Sequence, residues 1–219
     1  LDRKTGEVKW RHARAALPNY PSPVILEVAG KTQLFLTGLD KVTSLDPLTG
    51  KVNWEIAGAT TECVTSTPTD GKHIYSSGGY PKNHVAAIAA DGSGKVVWET
   101  NDRVYVPSML VKDGCLYATM DSGVALCLEA ATGKELWKGR LGGNFSASPV
   151  LVGDQIHAVN ESGDYFVFNA DPAGLEIVAK NKVGDEVYAT PSIAGKQIFL
   201  RVADYEGEKR SERLVCFGE

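Results

Sequence analysis

The chain has 219 residues, 43% of them hydrophobic, and a formal net charge of -4 from 23 Lys and Arg against 27 Asp and Glu. A chain of this size and composition can bury a substantial core. Its acidic balance excludes the clustered basic face of a nucleic-acid-binding domain, and no window approaches the roughly 18 consecutive apolar residues of a membrane-spanning helix. We therefore expect no nucleic-acid partner and no transmembrane segment in this chain.

One ten-residue string recurs along the chain, and its best copy reads LDPLTGKVNW. The copies share an acidic or amide residue, a turn glycine and a Trp, except that the last copy has Val178 where Trp is expected. In chain order they are Leu1–Trp10, Leu45–Trp54, Ala87–Trp98, Leu128–Trp137 and Phe168–Val178. Repetition with a period of about 42 residues predicts a repeat architecture.

Each repeat contains four short runs that are rich in β-branched and aromatic residues and bounded by Gly, Asp and Pro, which predicts strands. No stretch shows the 3.6-residue periodicity of a helix. The predicted strands are Val8–Arg11; Ser22–Val28, Gln33–Thr37, Val42–Leu45 and Val52–Ile56; Val64–Thr69, His73–Ser76, Val85–Ala89 and Val96–Thr100; Val104–Val111, Cys115–Met120, Val124–Leu128 and Glu135–Lys138; Ser148–Val152, Gln155–Asn160, Tyr165–Asn169 and Glu176–Lys180; Thr190–Ala194, Gln197–Val202 and Leu214–Phe217.

Four consecutive antiparallel strands in each repeat predict an all-β fold, a β-propeller with one four-stranded blade per repeat. We expect one propeller domain over residues 1–219. Pairing of Val8–Arg11 with Leu214–Phe217 would close a five-bladed ring. The alternative is that the chain is the C-terminal part of a seven- or eight-bladed propeller. The predicted repeats are approximately 1–12 (partial), 13–57, 58–101, 102–141, 142–182 and 183–219.

The charged stretch Ala203–Glu212 interrupts the last repeat and is interpreted as a solvated hairpin loop, or equally as a rim contact for a partner. The cysteines contain no CxxC pair. Cys115 and Cys127 flank a predicted three-residue loop that would place them opposite each other. They are therefore either a cross-strand disulfide or two small buried thiols.

The recurring motif assigns a structural task to each of its conserved positions within the repeat. The Asp accepts backbone hydrogen bonds in an Asx-type turn, and the Gly adopts a positive φ. The Trp lies on one face of the outer strand and packs between neighbouring blades. Sugar stacking or contact with a cofactor is the alternative role for Trp. The four histidines lie in different repeats without metal-ligand spacing, so we expect neither a catalytic nor a metal site.

With these residues the chain resembles the PQQ-like β-propeller repeat family, whose repeat runs Ala-x-Asp-x-x-Thr-Gly-x-x-x-Trp. The matching residues of the best copy are Asp46, Thr49, Gly50 and Trp54, and a Ser/Thr-Pro pair such as Thr67-Pro68 begins the inner strand. The resemblance covers the whole chain and implies a propeller fold. Some members of the family are quinoprotein dehydrogenases that hold pyrroloquinoline quinone and calcium. Others are non-catalytic, among them the outer-membrane assembly lipoprotein of the Bam complex and sensor domains of serine/threonine kinases.

The resemblance to the non-catalytic members implies a scaffold for protein interaction or small-ligand recognition, with no cofactor and a periplasmic or otherwise extracytoplasmic location. The alternative is the C-terminal part of a quinoprotein dehydrogenase that acts on alcohols or sugars, with pyrroloquinoline quinone and calcium as cofactors. The dehydrogenases of the family carry a vicinal disulfide, and this chain has no adjacent pair of cysteines. The short, regular repeats favour the scaffold.

The connections from the fourth strand of one blade to the first of the next emerge on one axial face of a propeller, where we predict the binding site. Three of them carry a Tyr shortly before the inner strand, and polar side chains lie nearby. Aromatic and hydrogen-bonding residues together are typical of a binding surface for a protein partner or small ligand. Alternatively, each Tyr plugs the central channel. The predicted ligand-binding residues are Tyr20, Arg103, Tyr105, Asn144 and Tyr188.

Overall fold

The computed structural model describes residues 1–218 and is built from β-strands. Its 18 strands form five antiparallel sheets, each with its strands in chain order across the sheet. The described residues include no helix that is long and apolar enough to cross a membrane. The chain forms two compact units that meet in sequence between Asp102 and Arg103. The prediction of an all-β propeller fold made of antiparallel blades is confirmed.

The first unit contains two sheets, which we call blades 1 and 2. Blade 1 has four strands in the order β1-β2-β3-β4, and blade 2 has three in the order β5-β6-β7. Tight turns join neighbouring strands because each strand is antiparallel to the next. The strands are β1 (Val24–Val28), β2 (Lys31–Gly38), β3 (Lys41–Leu45), β4 (Val52–Ala57), β5 (His73–Gly78), β6 (His84–Ala89) and β7 (Val96–Thr100).

The second unit contains three sheets, blades 3, 4 and 5, of which the first two have four strands and the last has three. Blades 3 and 4 contain the four predicted strands, but their first strands are shorter than predicted and begin at Leu110 and Val150. The strands are β8 (Leu110–Lys112), β9 (Cys115–Thr119), β10 (Val124–Glu129), β11 (Glu135–Arg140), β12 (Val150–Val152), β13 (Gln155–Val159), β14 (Asp164–Asn169), β15 (Ile177–Lys182), β16 (Ser192–Ala194), β17 (Gln197–Glu206) and β18 (Lys209–Phe217).

Two predicted strands are wrong. Val64–Thr69 makes only an isolated bridge from Thr69 to Ile74, because Pro68 has no N–H to donate to a ladder and the Thr65 hydroxyl bonds the Ser77 hydroxyl instead, at 2.8 Å. Val8–Arg11 is also not a strand. A strand requires a ladder partner, and within residues 1–102 this segment is held by its Trp side chain rather than by a ladder.

The interpretation of Ala203–Glu212 as a loop is also wrong. Strands β17 and β18 continue through this stretch to a two-residue turn at Gly207 and Glu208, with Glu206 opposite Lys209. Opposite charges face each other across the hairpin, as in the Arg213 Nε to Asp204 Oδ2 contact of 2.6 Å. Such cross-strand pairs stabilise a hairpin that has little apolar surface to bury. The charged composition of this stretch therefore did not indicate the two long strands that it forms.

The turn of the recurring motif has the predicted geometry. Asp46 Oδ1 accepts hydrogen bonds from the backbone N–H groups of Leu48 and Thr49, each at 2.8 Å. Gly50 closes the turn at a φ of +70°, a conformation that costs a residue with a side chain about 1–2 kcal/mol. Asp2 makes the same pair of bonds to Lys4 and Thr5. The Asp and Gly of the motif therefore shape the hairpin.

Trp10 and Trp137 reach from one repeat to the motif turn of the next, which confirms the predicted packing role for these two residues. In the first unit, Trp10 Nε1 donates to the carbonyl of Pro47 at 3.1 Å, and its ring fills the space that a Cβ on Gly50 would need. In the second unit, Trp137 Nε1 donates to the carbonyl of Asp171 at 2.8 Å. Each contact buries a large ring and satisfies its one donor.

Blade 4 lacks this indole, and the residue in its place is Ala179 rather than Val178. In blade 3 the cross-strand row is Tyr117, Cys127 and Trp137, whereas in blade 4 the same row is His157, Val167 and Ala179. The prediction aligned the repeats on Gly174, but that residue does not have the positive φ of the other motif glycines. The turn of blade 4 is longer, so the alignment is displaced by one residue.

The core consists of apolar clusters between neighbouring blades of the same unit. In the first unit, Phe35 and Val42 of blade 1 pack with Ile74 and Ile88 of blade 2. In the second unit, side chains of blades 3 and 4 form one cluster and side chains of blades 4 and 5 another. Inward-facing residues of each sheet therefore bury themselves against the next sheet, as stacked repeats require.

Cys115 and Cys127 do not form the disulfide that was one of the two predicted alternatives. The register pairs Cys115 with Glu129 and Cys127 with Tyr117, because the turn between the two strands is longer than the predicted three residues. Both side chains are buried free thiols. Burial raises the pKa of the Cys127 thiol to about 12, so this side chain stays protonated and behaves as a small apolar group.

We expect Trp137→Ala to lower the free energy of unfolding by about 3–5 kcal/mol, the usual cost of removing a buried large aromatic side chain. Trp137 is 9% exposed and contacts the following turn, so the substitution opens a cavity at the junction of two blades. Urea denaturation followed by circular dichroism measures the loss. Lys134→Ala, at an exposed turn position, should change the stability by less than about 0.5 kcal/mol.

We expect amides of β15 to exchange with deuterium faster than those of β11, since β15 carries Ala179 where β11 carries Trp137. Both are outer strands of four-stranded blades, so they differ in the indole contact more than in position. Hydrogen exchange resolved by NMR or mass spectrometry gives the comparison. Equal protection of the two strands would show that the indole contributes little to holding neighbouring blades together.

Candidate functional site

The predicted site loops of the second unit are anchored to the turns of the preceding blade by a recurring backbone contact. Phe145 N donates to the carbonyl of Asp121 at 3.1 Å, and Val187 N donates to the carbonyl of Glu161 at 3.0 Å. Each acceptor lies in the turn between the second and third strands of a blade. The loops therefore lie along the same ends of their sheets, and their backbone is held in place while neighbouring side chains remain at the surface.

Arg103 and Tyr105 come together at the start of the second unit. The Arg103 guanidinium carbon lies 5.4 Å from the centroid of the Tyr105 ring, a cation–π distance. Tyr105 N donates to Asp121 Oδ2 at 2.9 Å, which fixes the backbone beneath the ring. Tyr105 is half-buried and Arg103 is exposed. The pair therefore presents a positive charge and the edge of a phenol at the surface.

Asn144 occupies the corresponding place in the next loop. Its side chain is exposed, and its carbonyl accepts from Glu161 N at 2.7 Å. The adjacent Phe145 is 1% exposed and anchors the loop in the core. The hydroxyl of Ser146 donates to Glu161 Oε1 at 2.6 Å. These contacts hold the loop so that the amide of Asn144 faces solvent.

Tyr188 belongs to a cluster that the sequence only partly indicated. The Tyr188 hydroxyl donates to Glu186 Oε1 at 3.1 Å, and the Tyr205 hydroxyl donates to Glu186 Oε2 at 3.2 Å. Arg210 Nε donates to the same Oε2 at 2.8 Å. We call Glu186, Tyr188, Tyr205 and Arg210 the tyrosine–arginine cluster. Both phenol rings are about half exposed, Tyr188 at 53% and Tyr205 at 46%.

The electrostatics of the tyrosine–arginine cluster keep its carboxylate charged. The hydrogen bond from Arg210 lowers the pKa of Glu186, and bonds from the two tyrosines lower it further. The hydrogen bond to Glu186 in turn raises the pKa of Tyr188. The cavity at this cluster measures about 30 Å³, which suits about one water molecule. The cluster is therefore a shaped surface rather than a pocket for a small molecule.

Tyr20 lies in the first unit, on the connection that precedes β1. Its backbone N donates to the carbonyl of Cys63 at 3.0 Å, and its side chain is 63% exposed. Asn19 holds the same segment, since its Oδ1 accepts from Cys63 N at 3.1 Å and its Nδ2 donates to the carbonyl of Thr61 at 3.1 Å. Tyr20 therefore projects from a fixed backbone, as Tyr188 does in the second unit.

The structure brings Arg103 to Tyr105 and places Tyr188 beside Glu186, while Tyr20 is positioned within the other unit. A ligand-binding role for the five predicted residues stays a prediction. Sequence reasoning missed Tyr205 and Arg210, because it interpreted their stretch as a loop. The available signal was Gly207, since glycine is typical of a two-residue hairpin turn.

The residues present do not fit the calcium-dependent cofactor of the alternative function. Within residues 1–218, no group of three or more His, Cys, Asp or Glu side chains lies close enough together to hold a metal ion. His73, His84 and His157 each contact a nearby protein group, as with His84 Nε2 at 3.2 Å from the carbonyl oxygen of Gly58. We therefore derive no reaction step through pyrroloquinoline quinone and calcium.

Comparison with protein families gives a match to the family described as outer membrane protein assembly factor BamB, over residues 1–80 and 81–176. A curated relative, outer membrane protein assembly factor BamB of Legionella pneumophila (strain Paris), is 26% identical over 191 residues. That alignment covers 82% of this chain and 47% of the relative. The chain thus spans about half the length of the curated relative that it matches.

Among solved structures, BamB from Moraxella catarrhalis matches with a TM-score of 0.69 at 15% identity, over 90% of this chain and 61% of that chain. This match supports the fold alone. A europium-containing methanol dehydrogenase matches with a TM-score of 0.45 at 20% identity, over 52% of this chain and 23% of that chain. A similarity at that score carries no argument about this protein.

We expect Arg210→Ala to raise the pKa of Glu186 towards the ordinary range of a carboxyl group, since the bond from Arg210 is the largest cause of its lowering. A carboxyl with a lowered pKa stabilises the fold above its ordinary pKa and loses that contribution as the pH falls through its folded value. NMR titration of the Glu186 carboxyl carbon measures the change. Arg201→Ala removes a charge that contacts Glu212 instead and should leave the pKa of Glu186 nearly unchanged.

Proposed function

The chain belongs to the family of outer membrane protein assembly factor BamB, and on that premise we propose that it is a non-catalytic β-propeller scaffold that binds protein partners in outer-membrane protein assembly. Its location under this proposal is extracytoplasmic, on the periplasmic side of the outer membrane. In the first unit the partner docks on the loop that carries Tyr20, and in the second unit on the loops that carry Arg103, Tyr105, Asn144 and Tyr188. Within the second unit, the tyrosine–arginine cluster continues the docking surface from Tyr188 onto the β17–β18 hairpin.

The observation that carries the proposal is that the side chains of Tyr188 and Arg210 are at the surface and are ordered by hydrogen bonds to Glu186. Both are side chains of the types that dominate binding energy at protein interfaces. Tyr188 is 53% exposed and its hydroxyl is held by Glu186, and Arg210 is held by the same carboxylate at 2.8 Å. Side chains that are ordered before binding lose less conformational entropy when a partner covers them.

The shape of the surface favours a protein over a small ligand at this cluster. Small-molecule sites are usually clefts of about 300–1,000 Å³, whereas the cavity beside Tyr188 measures about 30 Å³. A flat surface of exposed aromatic and guanidinium groups suits the larger contact area of a protein. The Arg103–Tyr105 pair has the same character, with an exposed cation over a half-buried ring.

We expect Tyr188→Ala combined with Arg210→Ala to weaken partner binding at least about tenfold, since interface hot spots contribute about 2 kcal/mol or more each. Tyr20→Ala and Tyr105→Ala should each weaken it less. The measurement is the amount of outer-membrane assembly components that co-purify with the tagged chain from its native host, quantified by mass spectrometry. Circular dichroism of each variant shows whether its fold is retained.

Ile177→Ala serves as the matched control, because Ile177 is a comparably exposed apolar residue on the outer strand β15. It should leave the recovery of partners unchanged. Full recovery of the assembly components with the folded Tyr188/Arg210 double variant would contradict the proposed docking surface. Recovery of none of them with the unaltered chain would contradict the proposed role in outer-membrane protein assembly.

A further inference from the structure

A groove of about 340 Å³ opens in the first unit beside the motif Trp of blade 1. Trp54 forms one wall, and the turn of blade 2 that contains Asp91 and Gly92 forms another. Lys31 and Asn53 contribute polar groups to the lining. The volume lies at the lower end of the range of about 300–1,000 Å³ that is usual for small-molecule sites. The groove is separate from the loops assigned to the protein partner.

The groove is open because small residues form the turn that faces Trp54. That turn runs Asp91, Gly92, Ser93, Gly94, and the site of a Cβ on Gly92 would lie only 3.0 Å from Trp54 Cδ1. The turn can therefore approach the edge of the indole but has no bulk with which to cover it. In the second unit, Leu175 fills the space beside Gly139, and Trp137 is only 9% exposed.

A buried hydrogen-bond network fixes the indole that lines the groove. Trp54 Nε1 donates to Gln33 Oε1 at 3.1 Å, and the Ser44 hydroxyl donates to the same oxygen at 2.6 Å. Gln33 is 2% exposed, and its Nε2 donates to the carbonyls of Val28 and Ala90, each at 3.1 Å. The Trp54 ring also packs against Phe35, with centroids 5.8 Å apart. The aromatic wall is thus preorganised.

The polar groups at the groove retain unused hydrogen-bonding capacity. Asn53 Nδ2 donates to the Ser44 hydroxyl at 3.1 Å, whereas its Oδ1 accepts no hydrogen bond within residues 1–218. The Lys31 ammonium has no hydrogen-bond or ion-pair partner in the same part of the chain. The Asp91 carboxylate accepts from Ser93 N at 2.9 Å and from the Ser93 hydroxyl, and a carboxylate has about four acceptor sites in all.

The geometry points to a binding site for a saccharide, a function beyond the proposed protein interaction. One cation and one carboxylate offset each other, which favours a neutral ligand over an anion or a cation. A sugar ring offers an apolar face to an indole and hydroxyl groups that both donate and accept. Trp54 supplies the apolar surface, Lys31 supplies donors, and Asn53 and Asp91 supply acceptors. The size of the groove suits one or two sugar rings.

The test titrates the folded chain with glucose, galactose, mannose and N-acetylglucosamine, and follows the Trp54 indole N–H by NMR. We expect saturable binding of at least one of these sugars in the millimolar range. The Lys31→Ala, Asn53→Ala double variant should weaken it about tenfold, because hydrogen bonds to the sugar are lost. Asn53→Phe should abolish it by placing a ring in the groove that Asn53 lines.

The matched control is Lys196→Ala, which removes an exposed lysine from the equivalent hairpin turn of blade 5 and should leave sugar binding unchanged. Absence of a saturable shift at Trp54 with all four sugars would overturn the inference. So would equal affinity in the unaltered chain and the folded Asn53→Phe variant, since sugar would then bind elsewhere. Neither result bears on recovery of the assembly components, so the two proposals fail independently.

Discussion

This structure depends on the contact between a Trp indole of one repeat and the motif turn of the next repeat. A blade is a small antiparallel sheet with too little surface of its own to form a core, so it is stable only when stacked on a neighbour. Trp10 bonds the carbonyl of Pro47 within the first unit, and Trp137 bonds the carbonyl of Asp171 within the second. The Asp and Gly of the motif form the turn that receives the indole. One ten-residue string therefore encodes both a hairpin and the joint between hairpins.

The residues that hold neighbouring blades together are different from the residues that are exposed on the loops. The motif occupies the outer hairpin of blades 1 to 4, and the loops at the other ends of the strands are anchored by backbone bonds such as Phe145 N to the carbonyl of Asp121. Because the main chain satisfies the loop contacts, the side chains of Tyr20, Asn144 and Tyr188 remain exposed. Function can then vary in these side chains without loss of the fold. In the tyrosine–arginine cluster, the single carboxylate of Glu186 likewise orders two phenols and a guanidinium while they remain at the surface.

Small differences between repeats give each junction its own character. Leu175 fills the space beside Gly139 near Trp137, whereas Gly92 leaves the Trp54 indole open to a polar groove. Blade 4 presents Ala179 in place of an indole. The indole of Trp137 is therefore covered, the indole of Trp54 is open to a groove, and blade 4 has no indole at the equivalent position. The chemistry available at each follows from the one or two residues that replace the common pattern.

The sequence by itself determined the strand order within each blade, the motif turns and the location of the Tyr-bearing loops, because these follow from local propensity and repetition. Only the tertiary structure decided that Ala179 replaces the missing Trp, that Cys115 and Cys127 are not opposite each other, and that Ala203–Glu212 forms paired strands bearing Tyr205 and Arg210. Each of these depends on strand register. Register is set by turn length and by cross-strand partners far apart in sequence, and a shift of one residue moves a side chain to the opposite face.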